Sequence, residues 1–117
     1  MLTLLLVLQL SPGCGLTATD LNQGMIDYAQ GKIAHPGIDF AIADGCALPL
    51  ADTSFDAMVC QFGVMFYPDK HAGFTEALRV LKPGGTYLFS VWDNWAANRF
   101  AQTAYDAGAE FFPGDPP

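Results

Sequence analysis

Two stretches of the chain are apolar on what would be both sides of a strand. Ile38–Ala43 is interrupted only by Asp39, and Ala57–Cys60 not at all. Runs of this length suit strands covered on both faces. Asp44 closes the first run, Phe55-Asp56 opens the second, and Gln61-Phe62-Gly63 ends it. Pro49, Asp52, Thr53 and Ser54 mark an irregular loop between them. Strands are therefore predicted over 38–43 and 55–60.

The same reading extends along the chain. Leu16–Asp20 (LTATD) is short, β-compatible and ends in a carboxylate. Leu21, Met25 and Ala29 recur at helical spacing behind Asn22, a good N-cap, which predicts a helix over Gln23–Lys32. Gly31 and then Pro36-Gly37 end it. Asp69 caps a second helix, in which Phe74, Ala77, Leu78 and Leu81 form the expected buried face. Lys82-Pro83-Gly84-Gly85 is the expected stop, with Arg79 and Lys82 placed where the helix dipole favours cations. Thr86–Trp92 is β-branched and aromatic and reads as the last strand. Ala96–Phe112 is alanine-rich and helical in pattern, and Pro113–Pro117 is turn-like. Residues 1–10 are apolar almost throughout and read as a buried helix or strand before the breaker cluster Ser11–Gly15. Strands alternating with helices predict an α/β fold, a parallel sheet with helices on its faces and right-handed crossovers.

Composition narrows the function. The 117 residues make one domain or part of one, and 51% hydrophobic content supports a real core. The net charge is −7, and the strong bases Lys32, Lys70, Arg79, Lys82 and Arg99 are scattered. No basic patch exists to neutralise phosphates, which argues against a nucleic-acid partner. Three cysteines without CxxC spacing read as reduced, mostly buried thiols of a cytoplasmic protein. His35 and His71 stand apart from them, so no zinc site is expected. Leu2–Leu10 is too short to cross a membrane, and the first Lys or Arg is Lys32, so neither a membrane partner nor a secretion signal is expected.

The candidate chemistry sits at strand ends. A carboxylate at Asp20 can accept hydrogen bonds from a ribose diol; the bland alternative is a helix cap. Asp44, with Gly45 beside it, suits the exocyclic amine of an adenine; the bland alternative is an Asx turn. Gln61 and Phe62 can line a ligand pocket without adding charge, with Met65, Phe66 and Tyr67 as walls or as core packing. No nucleophile–base pair, GxSxG, HExxH or P-loop lysine is present.

The ordered segments LTATDLNQGM, ADGCALPLADTSFDAMVCQFGVMFYPD and EALRVLKPGGTYLFSVWD resemble the class I S-adenosylmethionine-dependent methyltransferases, closest to the small-molecule, type 11-like group, over about residues 16–95. The resemblance implies a Rossmann-like parallel sheet with helices on both faces and S-adenosylmethionine as cofactor. It implies that Asp20, with Leu21, meets the ribose hydroxyls. It sets Asp44 and Gly45 at the adenine, and Gln61 and Phe62 near the sulfonium. The reaction implied is direct methyl transfer to a small-molecule acceptor. The leaving group is already activated, so the protein mainly supplies proximity and orientation.

The beginning of the chain departs from this pattern. The family starts with a strand, a Gly-rich loop and a helix, and places that strand between those ending here at Asp20 and Cys60. VLQLSPGCG can be aligned with the strand and loop, Ser11 replacing the first glycine. Gly15 then runs straight into the next strand, although parallel neighbours need a crossover of roughly a dozen residues. Alternatively, residues 1–10 are the end of the first helix and Ser11–Gly15 is the following turn. Both alternatives predict that residues 1–117 are a partial methyltransferase domain, with the N-terminal strand and Gly-rich loop missing or altered and the C-terminal strands missing. Such a chain is expected to hold cofactor weakly alone. A non-catalytic remnant or partner-binding module of the same fold is the alternative. A nucleotide-linked oxidoreductase ranks lower, because a complete GxGxxG turn before Asp20 is not there.

Overall fold

The computed structural model describes residues 13–109 and residue 111. In order these are β1 (Leu16–Asp20), α1 (Gln23–Lys32), β2 (Ile38–Ile42), β3 (Phe55–Gln61), a 3-10 turn (Val64–Phe66), α2 (Lys70–Val80), β4 (Leu81–Ser90) and α3 (Arg99–Ala109). The element expected at 1–10 and the tail 113–117 lie outside the described residues. No helix among the described residues is long and apolar enough to cross a membrane.

β1 and β2 pair in parallel, with Asp20 opposite Ile42. α1 makes the crossover, and its first turn is satisfied by the Asn22 side chain, which accepts from the amides of Gly24 and Met25. β3 and β4 also pair in parallel, with Gln61 opposite Ser90. Their register shifts after Phe55, which faces Leu81, so that Ala57 already faces Thr86. Lys82-Pro83-Gly84-Gly85 therefore bulges within β4 instead of lying between helix and strand. Proline has no N–H for the ladder, and Gly84 takes a left-handed φ of 81°. Lys82 pins the bulge to Asp56 with an ion pair of 2.8 Å.

Among the described residues the strands form two pairs, not one continuous sheet. A cleft of about 860 Å³ separates β1 from β3. Its walls include the consecutive residues Leu16–Thr19 and Ser54–Val59. Successive side chains of a strand point to opposite faces, so a wall of consecutive residues is a strand edge. The cleft thus lies where the family resemblance sets a further central strand.

The core gathers on one side of α2. Ala43, Leu48 and Val80 are buried together, with Leu50, Phe55 and Met58 packed against them. The buried residues of α2 are Gly73, Ala77 and Val80, followed by Leu81 at the start of β4. Leu78, expected in the buried face, is 75% exposed. The helix is turned so that Gly73, Ala77 and Val80 face inward, with Val80 against Leu48.

That loop has no strand ladder, and α2 supplies its hydrogen bonds. Arg79 Nη2 donates to the Leu48 carbonyl at 2.9 Å, and Nη1 donates to the Leu50 carbonyl at 2.8 Å and to Asp52. Glu76 accepts the Leu48 amide at 2.7 Å and is held from the other side by Arg79 Nε and Nη2. Thr53, at a left-handed φ of 48°, is anchored by its N–H to the Arg79 carbonyl at 2.8 Å. Arg79 does more than complement a helix dipole; it replaces the missing ladder.

Tyr67 joins the two strand pairs. Its ring lies between Gly45, just beyond β2, and Gly73 of α2; a Cβ on Gly45 would stand 2.5 Å from Tyr67 Cζ. Its hydroxyl is 3.4 Å from Cys60 Sγ, near the end of β3. The C-terminal ends of β2 and β3 therefore share one side of the molecule. Burial, reinforced by Cys60, pushes the Tyr67 hydroxyl well above its ordinary range, so it stays protonated.

Replacing Gly45 with Ala should destabilise the fold. Overpacking against Tyr67 costs about 1–3 kcal/mol, while the stiffer unfolded chain returns less than about 1 kcal/mol. A denaturant midpoint unchanged from wild type would contradict the wedge. The second expectation concerns pH. Hydrogen bonds from Arg79 hold the Glu76 carboxyl at about 2, below its ordinary 4.5. A depressed folded pKa contributes stability above the ordinary value, and loses it as pH falls through the folded one. The melting temperature should therefore fall between about pH 4.5 and pH 2, and Arg79→Met should flatten that fall. Identical slopes in both proteins would show that the clamp is not the titrating element.

Candidate cofactor crevice

Asp20 is the last residue of β1 and is half-buried. Its Oδ1 accepts the Asn22 amide at 2.8 Å. The helix cap belongs to Asn22, so Asp20 is not itself the cap. Leu21 follows at the crevice edge, 71% exposed. Asp44 lies two residues beyond β2, and its Oδ1 accepts the Cys46 amide at 2.8 Å, closing an Asx turn that brings Ala47 back opposite Asp44. The bland reading of Asp44 is thus realised, but only one carboxylate oxygen is used. Asp20 and Asp44 extend from the same end of neighbouring strands, tied by the Ala43 amide on the Asp20 carbonyl at 3.1 Å. Among the described residues each carboxylate keeps its second oxygen free of protein donors.

The other side of the crevice is aromatic. Gln61 ends β3 and is exposed. Phe62 follows at a left-handed φ of 58°, held by its N–H on the Ser90 carbonyl at 3.0 Å. Its ring stacks on Trp92, with centroids 4.7 Å apart and planes at 26°. The Trp92 N–H meets Met65 Sδ at 3.4 Å. Met65 thus lies against Trp92, whereas Phe66 is 81% exposed and not part of the core. Tyr67 is the wedge described above. Trp92, expected to end the last strand at this ligand-bearing edge, lies two residues beyond β4, which ends at Ser90; its stacking on Phe62 is what sequence reasoning missed. Tyr87 sits nearby with its buried hydroxyl unpartnered among the described residues, and burial raises it to about 12.

Of the breaker cluster Ser11–Gly15, which one alignment makes a cofactor loop, Ser11 and Pro12 lie outside the described residues. Cys14 and Gly15 precede β1, at the end opposite Asp20. A five-residue strand separates them by roughly 16 Å. Cys14 is exposed, against the expectation of burial, while Cys46 and Cys60 are half-buried; all three are free thiols. The described residues contain no group of three or more side chains able to hold a metal.

This pair of acceptors fits the adenosine end of S-adenosylmethionine. A ribose diol and an exocyclic amine are donors, and two carboxylates with open oxygens are complementary acceptors. Gly45, with no Cβ, admits the Tyr67 ring beside Asp44.

The methyltransferase-domain family matches residues 3–89. The demethylmenaquinone methyltransferase of Renibacterium salmoninarum is 42% identical over 73 residues, which is 62% of this chain and 30% of that protein. Among solved structures, the complex between the Haloferax volcanii Trm112 methyltransferase activator and a candidate methyltransferase matches with a TM-score of 0.70 and 27% identity, over 76% of this chain and 39% of the other. An S-adenosylmethionine-dependent methyltransferase from Mesorhizobium loti matches with a TM-score of 0.62 and 27% identity, over 66% of this chain and 36% of that one. The chain spans about 30% of the length of the curated relatives it matches. With a shared fold and a match from residue 3 to residue 89, the chain belongs to the methyltransferase-domain family, for which S-adenosylmethionine is the implied cofactor.

Proposed function

We propose that this chain forms the adenosine-binding part of a cytoplasmic S-adenosylmethionine-dependent methyltransferase acting on a small-molecule acceptor. The observation that carries the reading is the pair Asp20 and Asp44 at the same end of two adjacent parallel strands. Asp20, with Leu21 beside it, is assigned to the ribose hydroxyls, and Asp44 with Gly45 to the adenine. Gln61 and Phe62, across the crevice, are assigned to the methionine end. Bound S-adenosylmethionine supplies a methyl group activated as a sulfonium, which departs as a neutral thioether. The chain's own residues then bind and orient, and the adjoining aromatic side chains keep water from that end. Residues 1–117 are read as part of a larger methyltransferase domain. Relatives named for demethylmenaquinone and for ubiquinone and menaquinone biosynthesis support an acceptor of quinone type.

The test is an NMR titration of the chain with S-adenosylhomocysteine, which reads even weak binding. Amide shifts are expected at Asp20–Asn22 and Asp44–Cys46. Asp20→Ala should weaken binding roughly ten- to hundredfold, from loss of hydrogen bonds to a charged acceptor worth about 1.5–3 kcal/mol. Shifts confined to other regions, or an unchanged affinity in the variant, would overturn the assignment.

A further inference from the structure

The stacked pair Phe62–Trp92 has features that core packing does not require. A phenylalanine at φ 58° is in a region that costs a bulky L-residue of order 1 kcal/mol, and such outliers persist only where the surroundings hold them. Here the Phe62 N–H is held by the Ser90 carbonyl at 3.0 Å and faces Ser90 Oγ at 3.3 Å. The strained backbone turns the ring onto Trp92, yet the pair buries little, since Trp92 remains 65% exposed. Val91 beside it is 49% exposed. Met65 steadies the Trp92 backbone through its sulfur. The result is a rigid, outward-facing aromatic shelf at the crevice edge beside Gln61.

We infer that this shelf is a binding site for a planar aromatic ring without negative charge, which continues the stack on the indole. Aromatic faces prefer offset stacking at centroid separations of about 4.5–7 Å, and Phe62 and Trp92 already set that spacing. The surrounding charge selects against an anion. Asp93 follows Trp92, Asp20 and Asp44 stand across the crevice, and among the described residues Lys70 is engaged by the carbonyls of Met65 and Tyr67. An anionic ring meets repulsion there, and a neutral one does not. The role of the bound ring as methyl acceptor rests on the function proposed above; the binding itself does not.

The chain has two tryptophans, so Trp95→Phe leaves Trp92 alone. Labelled with 5-fluorotryptophan, this protein has one fluorine signal, from the shelf. Titration with 2-naphthol should move that signal saturably. Binding of 2-naphthalenesulfonate should be about tenfold weaker or worse, as should binding of 2-naphthol to the Phe62→Gly variant in the same background. Glycine accepts φ 58° freely, so Phe62→Gly should keep a cooperative melt, which separates loss of the ring from loss of the fold. A linear, non-saturating shift, equal affinity for the sulfonate, or unchanged affinity in Phe62→Gly would each overturn the shelf. A parallel titration with S-adenosylhomocysteine separates the two readings. Cofactor binding without naphthol binding defeats the shelf alone, and naphthol binding without cofactor binding defeats the cofactor assignment alone.

Discussion

The clamp of Arg79 and Glu76 on the 48–52 loop is the constraint on which the crevice depends. The chain must travel from the end of β2 to the start of β3 without a strand ladder, and its backbone groups need partners when they pass near the core. One guanidinium supplies donors to two loop carbonyls, and one carboxylate takes a loop amide. The two side chains also hold each other, so neither is left as an unpaired charge. Leu48, fixed at both its amide and its carbonyl, drops into the core beside Val80. The same loop begins at Asp44 and Gly45, so the packing of α2 sets where the candidate adenine contacts stand.

Tyr67 completes the frame at the other end of α2. Two glycines make room for its ring, and its hydroxyl reaches the end of β3. A side chain from the segment after β3 thereby sets the distance between the strand pair bearing the two carboxylates and the pair bearing the aromatic shelf. The arrangement puts acceptors for hydroxyl and amine groups on one side of the crevice. Uncharged aromatic and thioether surface lies on the other. Polar recognition and apolar seclusion at opposite ends suit a cofactor whose nucleoside is bound by hydrogen bonds and whose reacting centre benefits from a dry surround.

Much of this was legible in the residues because it depends on local rules. The positions of β2 and β3 followed from apolar runs, and the helix starts from Asn22 and Asp69, whose side chains do accept amides of the first turn. Asp20 ends β1 and Asp44 follows just beyond β2, and parallel pairing brings these two strand ends together. The misplacements have a common cause. Leu78 fits a helical stripe as well as Ala77 does, but only the tertiary contact of α2 with the loop decides which face turns inward, and the small residues won. KPGG reads as a helix stop, yet a bulge can absorb it once β3 is alongside to take up the register shift. Cys14 reads as buried by residue type, but it sits in a breaker cluster at the edge of the cleft.

The sequence by itself determined which segments form strands and helices, the parallel sense implied by their alternation, and the chemistry available at each strand end. These depend on periodicity, capping and residue type, which act over a few neighbouring positions. The tertiary structure alone decided that Arg79 reaches back about thirty positions to the loop, that Tyr67 threads between Gly45 and Gly73, and that Phe62 and Trp92 stack. These contacts depend on the rotation of helices and the register of strands, quantities that no short stretch encodes and that packing sets only when the elements meet.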